Sequence, residues 1–123
     1  MHNDFIIYTK MLDIHTWLFE KTSSFPKKQR FVLGQQIENS SLSCMRLIIE
    51  ANNARNANVT IARLDALNVE LQVLRGLLRV AYEVKFMKIS SLGYITSQID
   101  EVGKMCGGWL KKTHARLVAT EKR

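Results

Sequence analysis

A chain of 123 residues, 46% of them hydrophobic, holds apolar material for one core and reads as a single domain over residues 1–123. One proline and six glycines argue against a many-stranded fold. The formal charge of +7 is uneven, since residues 1–74 carry eight Lys/Arg against seven Asp/Glu (+1) and residues 75–123 carry ten against four (+6). A basic half of this kind suits an anionic partner, whether nucleic acid, acidic protein or membrane surface; it equally describes a solvated, soluble surface. No run of about 18 uncharged apolar residues is present, so no membrane span is expected. Residues 1–20 lack a basic leader region, and the expected localisation is cytoplasmic.

The first periodic segment covers residues 4–23. Tyr8, Leu12, His15, Phe19 and Thr22 form one stripe, and Ile7, Met11, Ile14 and Leu18 form a second beside it, with Trp17 outside both. So broad an apolar surface packs on two neighbouring helices or makes a subunit contact. Ser23-Ser24-Phe25-Pro26 is the clearest break, where a serine can cap and Pro26 suits a first helical turn. A second helix is expected over 26–53, with Leu33, Ile37, Ser40, Cys44, Leu47 and Ala51 as its seam. Four asparagines between Asn52 and Asn58 end it. Thr60 can cap a third helix over 60–88, whose seam is Leu64, Leu67, Leu71, Leu74, Leu78 and Ala81. Arg75 and Arg79 flank this seam and are followed by Lys85 and Lys88. A fourth helix over 91–118 is seamed by Leu92, Ile95, Ile99, Val102, Cys106, Trp109 and Thr113, and a basic tail reaches Arg123. Four such helices with short connections predict an all-α, up-down-up-down antiparallel four-helix bundle.

A search of the residues for chemistry finds little. His2, His15 and His114 stand on different segments, with no two-histidine metal spacing. No Glu-x-x-His pair exists, and Glu38, Glu50, Glu70, Glu83 and Glu101 lie off the seams, against a di-iron bundle. No phosphate loop follows a strand. Cys44 and Cys106 read as buried, reduced thiols; Cys–His or Ser–His pairing stays open. The expectation is a protein that is not an enzyme, with no metal, no cofactor and no small-molecule substrate.

Two features carry more. Gly103 and Gly107 sit one turn apart in a helical run, a flat surface either for a partner or subunit or for close packing inside the bundle. Lys104 and Lys111 point away from the fourth seam, with Lys112 and Arg116 on an adjacent strip. With Arg75, Arg79, Lys85 and Lys88 they form a candidate phosphate-backbone footprint, salt-sensitive and indifferent to sequence.

Phe25-Pro26-Lys27-Lys28-Gln29-Arg30-Phe31-Val32-Leu33-Gly34, then Leu74-Arg75-Gly76-Leu77-Leu78-Arg79, then Glu101-Val102-Gly103-Lys104 with Gly108-Trp109-Leu110 resemble, in that order, the Avd group of four-helix bundles. Avd is the accessory variability determinant of diversity-generating retroelements. A sister branch is encoded in intervening sequences of bacterial large-subunit ribosomal RNA genes. The resemblance implies a non-catalytic accessory protein, assembled as a ring-like homopentamer with a basic surface. In the Avd branch that surface binds the retroelement's reverse transcriptase and nucleic acid, RNA or DNA, and supports error-prone cDNA synthesis in mutagenic retrohoming. By position, Arg75 and Arg79 are then the first candidates for partner contact, with Lys104, Lys111 and Lys112 behind them. Trp17, Gly103 and Gly107 are the candidate oligomer contacts. The basic tail and the arginine pair favour Avd over the ribosomal-RNA branch. A structural interaction bundle with no nucleic-acid role is the alternative.

Overall fold

The leucine seam expected of the third helix is the centre of the molecule: Leu64, Leu67, Leu71, Leu74, Leu78 and Ala81 are each at most 1% exposed. The computed structural model describes residues 2–121, with side chains described for residues 6–121; Met1, Lys122 and Arg123 lie outside the described residues. The elements are α1 (His2–Thr22), a three-residue α2 (Lys27–Gln29), a π-helical turn (Arg30–Gly34), α3 (Gln35–Asn52), α4 (Ala57–Glu83) and α5 (Ile89–Glu121). The four long helices form an all-α bundle in which α3 packs on α1 and α4, and α5 closes the ring on α4 and α1. Ile7, Met11, Ile14 and Leu18 of α1, Ile37, Cys44 and Ile48 of α3, and Ile95, Ile99, Val102 and Cys106 of α5 meet the leucine seam in one core. Side chains spaced at alternating steps of 3 and 4 share one face of each helix, so burial of that face holds the helices together.

Of the two stripes on α1, the Ile7–Leu18 stripe is the core one. Its companion is a boundary, with Leu12 and Phe19 exposed, His15 bonded to the buried Ser41 (Nδ1 to Oγ, 2.6 Å) and the Thr22 hydroxyl donating to Glu38 (2.6 Å). Both bonds reach α3. Leu33, Leu47, Leu92 and Trp109 are only partly buried at the ends or edges of their seams.

The helix ends correct several expectations. Ser23 and Ser24 do not cap the next helix; their hydroxyls turn back to the Glu20 and Lys21 carbonyls, closing α1. Pro26, extended at φ −52° and ψ 141°, precedes α2 with no side-chain cap. Helix α4 starts at Ala57 rather than at residue 60, because Asn56 caps it by accepting from the Val59 N–H at 3.0 Å. Thr60 is buried inside the helix instead.

The far end of α4 stops at Glu83 instead of running to Lys88. There the Phe86 N–H bonds back to the Ala81 carbonyl (2.8 Å) and the Lys85 N–H to that of Tyr82 (3.0 Å), a Schellman closure. Lys85 fills the left-handed position at φ 68°, normally the place of glycine. Lys85 and Lys88 therefore sit in a tight turn, off the helical edge that carries Arg75 and Arg79. The α5 helix begins at Ile89, two residues before the expected start, and continues through Glu121, so the basic tail is helical over its described length.

A left-handed residue bearing a side chain costs about 1 kcal/mol. Lys85→Gly is therefore expected to raise stability by about 1 kcal/mol in urea unfolding, with the helical circular dichroism unchanged. A loss of stability would show that the lysine side chain holds the turn.

Candidate nucleic-acid interface

Because consecutive helices run up and down, the 23–34 connection and the 84–88 turn meet at one end of the bundle. Phe25 and Phe86 pack across them as a tilted pair with ring centroids 5.5 Å apart, and Phe25 and Met87 are buried beneath. Above this floor lies an open concavity of about 680 Å³, lined by the cations Lys21, Lys85 and Lys88, the hydroxyls of Ser24, Tyr82, Ser90 and Ser91, and Phe86 and Met87. Its lining contains no carboxylate. Lys27, Lys28 and Arg30 belong to the connection at the same end. Lys21 also lies over the Trp17 ring, 5.2 Å from its centroid, and Trp17 packs on Tyr94. Trp17 thus serves a junction of α1 with α5.

The structure divides the eight cations expected to act together. Arg75 is half-buried and turned toward α5, its Nε donating to Asp100 at 2.9 Å. A Cβ on Gly103 would stand 3.2 Å from Arg75 Nη2, so the missing side chain gives the guanidinium its path across α5. Gly103 is accordingly covered within the chain, whereas Gly107 is exposed with open space around it. Arg79 donates to Glu83 one turn away at 2.7 Å, a bond that holds its guanidinium charged. Lys85 and Lys88 belong to the loop end. Lys104 is exposed midway along α5, and Lys111, Lys112 and Arg116 are exposed toward its C-terminal end. At 1.5 Å per residue, Lys88 and Lys111 are about 35 Å apart along the axis. Among the described residues, none of these last six cations has an ion pair. Lys21 and Ser24 were not singled out by sequence, yet topology could have found them, since an antiparallel bundle brings the first and third connections together.

Among the described residues no group of three His, Cys, Asp or Glu could hold a metal ion. Ser41 and His15 do pair, but Ser41 is wholly buried and the contact serves to join α1 to α3. Cys44 and Cys106 are free and buried. Burial pushes the Cys44 thiol up to about 12, with Glu70 adding to the rise and Arg75 opposing it. Burial, aided by Asp65, pushes Cys106 up to about 11, and its thiol donates to the Leu64 carbonyl. Protonated, enclosed thiols are poor nucleophiles. No helix among the described residues is long and apolar enough to cross a membrane.

These thiols make stability depend on alkaline pH. An acid whose pKa is raised on folding stabilises fully below its unfolded value of 9.0, and that stabilisation is lost as pH climbs toward about 12. The combined Cys44→Ala and Cys106→Ala variant is expected to lose less of its melting temperature between about pH 8 and about pH 10.5 than the unaltered chain does. Equal losses would show that the thiols do not carry the effect.

Comparison with known proteins agrees with this architecture. A crystal structure of a protein of unknown function from the S23 ribosomal protein family of Bacteroides thetaiotaomicron superposes with a TM-score of 0.82 at 20% identity, covering 89% of this chain and 98% of that one. That likeness is one of fold. No curated protein matches the chain. The family model described as bAvd-like matches residues 5–113, from α1 into the last third of α5. By that match over most of its length, the chain belongs to the bAvd-like family.

Proposed function

We infer that this chain is a non-catalytic accessory protein of a diversity-generating retroelement, which binds nucleic acid and the reverse transcriptase through its basic surface and works as a homo-oligomer, in the manner of a pentameric ring. Membership of the bAvd-like family supports the accessory class. The observation that carries the nucleic-acid part is the loop-end concavity, where Lys21, Lys85 and Lys88 converge with four hydroxyls and no carboxylate. Such a surface takes phosphate oxygens by charge and hydrogen bonding, without reading bases. Lys104, Lys111, Lys112 and Arg116 extend the cationic area along α5. Arg75 and Arg79 can join only by sharing or leaving Asp100 and Glu83. Asp100, Arg79 and Glu83 are exposed and Arg75 is half-buried, so the exchange costs little at Arg79 and more at Arg75. A bundle that makes protein contacts alone is the second reading, favoured by the exposed Phe31 and Val32 of the π-helical turn. The ribosomal-RNA intervening-sequence branch remains the other assignment within the same kind of bundle.

Fluorescence anisotropy with labelled single-stranded RNA and duplex DNA tests the reading. Affinity is expected to fall steadily with salt, and Lys85→Glu with Lys88→Glu to weaken binding to all sequences alike. The log–log salt slope should flatten by about 1 for each phosphate contact removed. Absence of binding at low salt, or a slope near zero, would exclude a phosphate footprint.

A second variant separates structure from recognition. Arg75→Glu with Arg79→Glu replaces two ion pairs by like-charge neighbours, Asp100 and Glu83, and is expected to cost about 2 kcal/mol or less in stability. Its capture of the reverse transcriptase, measured by co-purification, is expected to weaken. Unfolding of this variant would make the arginines structural.

A further inference from the structure

Helix α4 carries a second seam on the face turned away from the core. Ala62, Ala66, Val69, Val73, Gly76 and Val80 follow one another at steps of 4, 3, 4, 3 and 4. This is the spacing of the buried leucine seam, shifted to the opposite side of the helix. All six are exposed, Val69 at 61%, Val73 at 46% and Val80 at 47%, and Gly76 has nothing within 4 Å of where its Cβ would lie. Val59 continues the stripe toward the N-terminus. No charged residue interrupts it. An uncharged stripe of this length at coiled-coil spacing is matched in shape by another helix.

The order of side chains along the stripe says which helix. Consider two copies of α4 laid antiparallel, with a two-fold axis beside Val73. At 1.5 Å per residue, Val73 then meets Val73 of the second copy, Val69 falls opposite Gly76, and Val80 falls opposite Ala66. Each large residue away from the axis faces a small one. The flanking charges obey the same symmetry: Asp65 of one copy lies within about 3 Å, along the axis, of the level of Arg79 of the other, at both ends of the contact. Asp65 is exposed and has no ion pair among the described residues, while Arg79 is held only by the exposed Glu83. On the other flank Glu70 accepts from the Ser40 hydroxyl (2.7 Å) and Arg63 pairs with Glu50 (3.2 Å), so both groups on that edge already have a partner within the chain. A parallel pairing sets valine on valine and Gly76 on Gly76, and it puts Asp65 and Arg79 of the two copies on opposite edges of the contact, losing both complementarities.

We propose that the outward face of α4 is an isologous contact with a second copy of this chain, two α4 helices meeting antiparallel about Val73. The contact rests on the homo-oligomer part of the reading above and is independent of nucleic-acid binding. An isologous contact joins copies in pairs and does not by itself close a ring of five. Combined with a ring, it gives an even number of copies. Because it buries apolar surface between two basic molecules, it holds or tightens as salt rises, the opposite of a phosphate contact.

Cysteine cross-linking of the full chain reads both the contact and its direction, since Cys44 and Cys106 are buried and do not compete. Under mild oxidation Val73→Cys is expected to give a disulfide-linked dimer as its main product. Val59→Cys is expected to give none, because its two copies stand about 40 Å apart in this arrangement. Dimer from both variants would mean a parallel pairing and overturn the proposal. Dimer from neither, with the unaltered chain oligomeric by sedimentation, would mean a contact between unlike faces and also overturn it. A monomer at tens of micromolar would overturn it as well. Val69→Glu with Val73→Glu is expected to halve the sedimenting mass with circular dichroism unchanged; an unchanged mass would place the contact elsewhere. RNA anisotropy at low salt on the same variant keeps the readings apart: retained RNA binding with halved mass supports this contact, whereas lost RNA binding with unchanged mass counts against it.

Discussion

Burial of the α4 leucine seam is the constraint on which the other features depend. Each of its leucines is withdrawn from water by α3 on one side and α5 on the other, with α1 completing the enclosure. Full burial of a leucine contributes about 1.5–3 kcal/mol, so this row is a large share of what opposes chain entropy. Satisfying it fixes the rotation of α4 about its axis. That rotation sets Arg75 toward Asp100, leaves Arg79 at the surface and turns the valine stripe outward.

The polar groups within the bundle are arranged to bind its parts together. His15–Ser41 and Thr22–Glu38 join α1 to α3, Ser40–Glu70 joins α3 to α4, and Lys10–Glu101 joins α1 to α5. Among the described residues no buried side-chain nitrogen or oxygen lacks a partner. What remains uncommitted is at the surface: lysines at one end and along α5, and apolar residues on the outer face of α4. The two contacts proposed above occupy different faces and can therefore coexist.

Chain connection explains where the cations gather. Short antiparallel links return the chain to the same end after each pair of helices, so Lys21 and Ser24 come to face Lys85, Lys88 and Ser91 although more than sixty residues separate them. The tilted Phe25–Phe86 pair and the Schellman closure at Lys85 hold the two connections in place. A left-handed lysine at that closure is conformationally costly, and the same residue lines the cationic concavity.

The sequence by itself determined the helical class, the breaks near Pro26 and Asn53, the α4 and α5 seams and the burial of both cysteines, because a 3–4 repeat maps directly onto one face of a helix. It also held the second α4 stripe at the same spacing, legible only once one asks what lies opposite the leucines. Tertiary structure decided the rest. Helix ends moved by up to five residues because local bonds, the Asn56 cap and the Ala81–Phe86 closure, outweigh periodicity at termini. Cations adjacent along one helix separated into paired arginines and free lysines because carboxylates from other turns and another helix reached the arginines first. Which charges stay available for a partner depends on neighbours distant in the chain, and only packing brings those neighbours together.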